Sequence, residues 1–285
     1  MMSTNGWKFV NGAMMPTCLP LEEADTTILK DKGLWRKPLW RKAYFARYTT
    51  QVGQGNGEWY WVIKDTPLDL DSIKGKYRYE IKKGMAFFKI EVIKPLEYAD
   101  ALYEVMVNAY SSYPKIYRFI PTREAFLKSL PTWKKPCFAA FHRESGKLCG
   151  YINIVECEHI VFYSGQAVLK EFERHYINAA LVYGMLCYYK EQLEKKQVVI
   201  VDGEKNILHK TAHQEFLVKK LGFKKVPCIL KVVYRPIIKM LVFLLFPLRK
   251  LLLAFDEKSK LVHKINGVLE MERVVRLQKG YAKKE

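Results

Sequence analysis

The chain has 285 residues, 49% of them apolar and 14% aromatic, enough to bury a large core and too apolar for disorder throughout. Its 48 Lys and Arg against 29 Asp and Glu leave a net charge of +19, which favours polyanionic partners: nucleic acid, an anionic membrane face or a phosphorylated small molecule. Six cysteines without a C-x-x-C pair exclude a disulfide framework and fit a reduced, cytoplasmic protein.

In chain order, residues 1–84 carry dense turn signals (Asn11-Gly12, Pro16, Pro20, Gly55-Asn56-Gly57, Pro67) and read as irregular structure with short strands, among them Glu58–Lys64. Met1–Pro20 lacks the apolar core of a signal peptide. Trp35–Tyr48 interleaves aromatic side chains with Lys and Arg, a combination that grips nucleotides or a membrane interface, or that anchors a basic loop to a core. Trp35, Trp40, Trp59 and Trp61 are therefore the residues expected to shape an acceptor site.

From about Gly84 the pattern changes. Ala86–Ile93 reads as a strand, Leu96–Tyr110 and Thr122–Leu130 as helices, and Cys137–His142, Leu148–Glu156 and His159–Leu169 as strands, the first two joined by a turn at Glu144–Lys147. A long helix follows at Glu171–Lys196, then a short buried strand at Val198–Val201. A helix over Ile207–Leu221 stops at Gly222, and a strand over Cys228–Tyr234 ends at Pro236. Residues 237–285 read as a basic helical tail with Pro247 as a kink; its most apolar run, Met240–Leu248, is shorter than the about 20 residues a spanning helix needs. The run 237–255 is apolar with Lys239, Arg249 and Lys250 on it, and fits a peripheral contact with an anionic bilayer or a core helix equally well. The expected domains are an aromatic and basic module at 1–84, a mixed α/β domain at 85–236 and the tail.

The chemistry-bearing feature is the junction Val168–Leu181. A turn feeding a helix N-terminus presents unpaired backbone N–H groups and a partial positive charge, a setting for phosphate, and Arg174 and His175 add donors. His209 and His213 share a helix face, but Lys210 stands where a zinc H-E-x-x-H site needs glutamate, so no metal is expected.

The element order from about Ala86 to Pro236 resembles the GNAT superfamily of N-acetyltransferases. Val168, Glu171, Phe172, Ile177, Ala180 and Leu181 fall in frame with that family's acyl-CoA motif, and Lys219-Lys220-Leu221-Gly222-Phe223 resembles its later helix end. Arg174 and Tyr176 stand where the family has glycines, Lys170 where it often has Pro, and Val218 where many members have Tyr. Such degenerate cores resemble the Fem-type and glycan-modifying acyltransferases.

The resemblance implies an α/β, mixed-sheet, GNAT-like core that moves an acyl group, acetyl above all, from acetyl-CoA or another acyl-CoA to the amine of a small or phosphorylated acceptor. Glycan or cell-envelope biosynthesis is the implied setting. It places the donor on Gln166, Val168, Arg174, His175, Tyr176, Ile177, Asn178, Ala179, Thr211 and Phe216. The acyl group lies where His159–Leu169 splays from the next strand, with a bulge expected at Gly165 and a backbone N–H as oxyanion donor. Glu156, Glu158 and His159 are the candidate bases, or else exposed hairpin charges. Two alternatives stand beside this reading: a non-catalytic binder of anionic membrane or nucleic acid on the same fold, and an aminoacyl-tRNA-dependent Fem-type transferase.

Overall fold

The computed structural model describes residues 3–115, 118, 120–133, 136–208 and 212–279. In chain order its elements are β1 (Ser3–Thr4), β2 (Trp7–Val10), β3 (Ala13–Pro16), β4 (Phe45–Thr50), β5 (Tyr60–Lys64), α1 (Gly75–Phe87), β6 (Phe88–Ile93), α2 (Ala99–Ser111) and α3 (Arg123–Ser129). There follow β7 (Cys137–His142), β8 (Leu148–Cys157), β9 (Ile160–Val168), α4 (Ile177–Tyr188), α5 (Lys190–Glu194), β10 (Val199–Glu204) and α6 (His213–Leu221). The chain ends with β11 (Lys224–Pro227), β12 (Ile229–Tyr234), α7 (Pro236–Leu245), α8 (Arg249–Leu253) and α9 (Lys260–Lys279). Two compact units result: one of residues 1–61, 204–210 and 225–285, the other of 62–203 and 211–224.

The first unit is built on the sheet β1-β2-β3-β4-β12. Successive residues of a strand face opposite sides, so Ala13 and Phe45 join one core with Trp59, Leu230, Met271 and Val274, while Met14 and Ala46 join another with Trp7, Leu34 and Trp40. This corrects the expectation for the tryptophans. Trp40 and Trp59 are 0% exposed, Trp35 packs against the core that holds Trp40, and Trp61 against the one that holds Trp59. The indole of Trp40 lies 5.5 Å from that of Trp7 and 5.7 Å from that of Trp35. The cations between them sit on short 3-10 turns, Leu34–Arg36 and Trp40–Lys42, with Arg36, Arg41 and Lys42 exposed. Burying the large rings gains more than stacking them in water, so the interleaved pattern sorts into core aromatics and solvated charges.

The second unit carries a sheet in the order β5-β10-β9-β8-β7-β6. Strands β6 to β9 are antiparallel in succession and β9 pairs with β10 in parallel. Gly150 faces Leu181 of α4, whereas the next residue, Tyr151, lies against Trp133, ring centres 5.5 Å apart. Helix α4 therefore covers one face of the sheet, and the Trp133 segment covers the other. From β6 to α6 the elements follow the order read from the sequence, β, α, α, β, β, β, α, β, α, with α4 and α5 in place of one helix, and this unit is a mixed α/β fold; the last expected strand, β12, instead pairs with β4 in the first unit's sheet. The expectation of irregular structure up to residue 84 is corrected by α1, whose buried face is Glu80, Ile81 and Gly84.

Candidate functional site: a fork between two parallel strands

Strands β9 and β10 pair only over Ile160–Phe162 and Val199–Val201; beyond that β9 runs on to Val168 and β10 to Glu204 without pairing. Past the fork, β9 amides on the β10 side have lost their ladder acceptors, a set of donors at a strand edge inside the molecule. The other edge of β9 is bulged: Asn153 faces Gly165 and Ile154 faces Tyr163, which leaves Ser164 as an extra residue. A bulge shifts the alternation by one. Tyr163 and Gln166, three apart, thus come to one face. The Tyr163 hydroxyl donates to Gln166 Oε1, and Gln166 Nε2 donates to Asn178 Oδ1 on α4. Burial, with Asp202 nearby, holds the Tyr163 phenol well above its usual range, so it stays a donor.

From the other prong, Asp202 is the first β10 residue beyond the last pair. Its Oδ2 accepts from Gln214 Nε2 at 2.9 Å, and its Oδ1 lies 3.5 Å from His213 Nε2. The His213 ring rests 5.2 Å from the Tyr163 ring and 6.0 Å from that of Phe216. One imidazole at the start of α6 therefore meets both prongs where they part, with a carboxylate against one ring nitrogen.

Between β9 and α4 the chain makes a 3-10 turn, Lys170–His175, and closes it with Tyr176 at φ 61, ψ 30, the left-handed region. This replaces the continuous helix expected over 171–196, which is further divided at Tyr189. The backbone at Tyr176 takes the form a glycine there would take; the residue type changes while the turn persists. A Cβ on Gly84 would come within 2.8 Å of Tyr176 O, so α1 lies directly against this turn. The Tyr176 ring leans towards α1, 6.5 Å from the ring of Tyr79 and 5.9 Å from Lys83 Nζ. The leading N–H groups of α4 belong to Ile177, Asn178 and Ala179. Around them stand Arg174, whose Nε donates to His175 Nε2 at 3.2 Å, and Lys147, paired with Glu171 at 3.1 Å. His175 stacks on Phe87, ring centres 4.5 Å apart. The left-handed tyrosine gives a test. Tyr176→Gly is expected to be more stable than Tyr176→Ala by about 1 kcal/mol, since both lose the ring and only alanine keeps the steric cost; urea unfolding of the two variants measures the difference.

Of the residues expected to hold a donor, Gln166 and Asn178 bond one another, Val168, Ile177 and Ala179 are buried beside them, and Arg174, His175 and Tyr176 form the turn. Phe216 lies on α6 against His213. Thr211 and His209 lie outside the described residues. The three expected bases are elsewhere. Glu158 and His159 make the tight β8–β9 turn, Glu158 at φ 52, and His159 O accepts from Val199 N at 2.9 Å, so they sit where the strands are joined. Glu156 accepts from the Tyr189 hydroxyl at the far end of α4, about 18 Å of helix from its N-terminus at 1.5 Å per residue. Sequence reasoning missed His213 and Asp202 as a pair; the one available signal was an Asp closing a buried strand and a His opening the next helix. Among the described residues no group of three or more His, Cys, Asp or Glu is placed to hold a metal ion, and no helix is long and apolar enough to cross a membrane.

No family model and no curated protein matches this chain. Solved structures do. L-PGS from Bacillus licheniformis is 16% identical over 69% of this chain and 63% of its own, with a TM-score of 0.42. A GCN5-related N-acetyltransferase from Sphaerobacter thermophilus is 14% identical over 67% and 60%, at 0.41. A conserved protein of unknown function from Bacteroides thetaiotaomicron is 12% identical over 78% and 79%, at 0.48. The chain thus spans less than two thirds of the length of the first two.

Proposed function

We propose that the protein is an acyltransferase that moves an acyl group from a thioester of the acyl-CoA kind to an amine. The observation that carries this reading is the fork between β9 and β10 beside the start of α4. The leading amides of α4, with Arg174 and His175, receive the donor's diphosphate. The thioester lies along Ser164–Val168, where an amide freed from the ladder faces the carbonyl oxygen. The acceptor's nitrogen attacks the carbonyl carbon, the C–S bond breaks, and the thiolate leaves, taking up a proton from the imidazolium or from water so that free thiol is released and the base is restored. His213 takes the proton the amine gives up, and the Asp202 carboxylate stabilises the imidazolium that forms. Glu156, Glu158 and His159 have no part in this scheme. The excess of cations suits a donor and an acceptor that both carry phosphate.

Thermal unfolding with acetyl-CoA, free CoA and aminoacyl-tRNA tests the reading. A ligand that binds only the folded state adds about 2.7 kcal/mol of apparent stability at a hundredfold excess over Kd. Stabilisation by acyl-CoA is the expected result. A response to aminoacyl-tRNA alone would move the donor to the aminoacyl esters, and a response to neither would overturn the transferase.

A further inference from the structure

Helix α7 is apolar but for Lys239. Its inner stripe, Ile238, Val242 and Leu245, is covered to varying degrees, with Val242 the buried residue. Its outer side presents Ile237, Met240, Leu241, Phe243 and Leu244, with Phe243 71% exposed. A helix so largely apolar belongs inside a protein or in lipid, and a soluble chain rarely leaves so large a patch in water. The patch continues. Pro247 breaks the helix, a 3-10 turn runs over Phe246–Leu248, and α8 follows, exposing Leu248, Leu251, Leu253 and Phe255. Leu261, at the start of α9, is 67% exposed.

The charge beside this patch is predominantly positive. Between Pro236 and Lys264 stand Lys239, Arg249, Lys250, Lys258, Lys260 and Lys264, against Asp256 and Glu257 alone. Asp256 is buried, accepting from Asn266 Nδ2 at 2.7 Å and lying 2.9 Å from His263. Next to α7 lies a cavity of about 410 Å³ in the same unit, walled by Val242 and Phe243 and rimmed by Lys231, Lys239, Arg276 and Lys279. The one acid on it, Glu272, is taken by Arg276 at 2.8 Å. An apolar surface with a cationic margin is complementary to a layer whose interior is hydrocarbon and whose headgroups are anionic. A second copy of the chain is a poor match, because the same face would bring the same cations against themselves.

We infer that α7, α8 and the start of α9 form a docking surface for an anionic phospholipid leaflet, with the helices lying in the plane of the headgroups and the basic cavity facing an acidic headgroup. No helix of the described residues spans a bilayer, so the association is peripheral. This surface is independent of the acyl-transfer chemistry.

Co-sedimentation with vesicles tests the inference. The full chain is expected to pellet with vesicles rich in phosphatidylglycerol, to remain in solution with pure phosphatidylcholine, and to be released by salt. The pair Leu244→Glu with Leu251→Glu, and separately Lys250→Glu with Lys260→Glu, should each lower partitioning by about tenfold or more, since binding follows buried apolar area and about one favourable contact per cation. All four side chains are exposed, so circular dichroism and melting should match the wild type. No pelleting on anionic vesicles at low salt overturns the inference, as does unchanged pelleting of both variants. So does a wild-type dimer in light scattering that Leu244→Glu breaks.

Discussion

Replacing His213 with alanine is expected to lower turnover by about 10²- to 10⁴-fold while leaving the melting temperature and the affinity for the donor close to wild type. An amine protonated at neutral pH cannot attack a carbonyl, so the proposed scheme needs a base beside the acyl carbon, which that scheme puts where β9 and β10 separate. His213 is the imidazole at that point, 3.5 Å from Asp202, with its ring tilted against that of Tyr163. Asp202→Asn should cost less, because the imidazole remains and only the charge that stabilises its protonated form is lost. Release of CoA thiol, with and without an amine, measures both variants. Full activity in His213→Ala, alongside loss in Glu158→Gln or His159→Ala, would return the base to the hairpin turn.

The largest loss of stability is expected from Trp40→Ala, about 3–5 kcal/mol. The side chain is wholly buried between Trp7 and Trp35, and nothing in a sheet-backed core can collapse to fill the volume of an indole. Its Nε1 is buried without a hydrogen-bond partner. Trp40→Phe removes that unsatisfied donor and keeps most of the ring, so it should cost less than about 1.5 kcal/mol. Urea unfolding reads both. If Trp40→Ala instead leaves stability intact and raises the KM for an acceptor, the indole is a binding surface and the packing account is wrong.

These two expectations mark where the sequence was legible. The pattern of the apolar residues placed α2, α3, β7, β8, β9 and β12 within a few residues, because the helices bury one face and the strands β7 and β8 are continuous apolar runs between turn signals. Gly165 drew attention to the stretch of β9 that is bulged, although the inserted residue is its neighbour Ser164. What the sequence hid had physical causes. Helix α1 buries a glutamate and a glycine: Glu80 is paired with Lys220, and Gly84 makes room for the Tyr176 carbonyl. Neither residue scores as core in a pattern of apolar spacing. The tryptophans read as a surface because cations separate them along the chain, yet short 3-10 turns send the two kinds of side chain in opposite directions. The base was sought beside the strand's first residues, but a parallel pair is joined at that end and open at the other. His213 was read for its spacing from His209, and its actual partner, Asp202, comes from a different element.

The Tyr176 turn joins these points. The glycines of the resembled motif are absent, and the left-handed backbone they would supply is kept at a tyrosine. A strained residue that persists at such a place is held there by its surroundings, here Gly84 and the rings of α1.

Amide hydrogen exchange with and without acetyl-CoA tests the fork as the donor site most directly. Slowed exchange confined to Ser164–Val168 and the first turn of α4, Ile177–Ala179, is the predicted result. Unchanged exchange there under saturating acyl-CoA, or protection that falls on some other part of the chain, would contradict it.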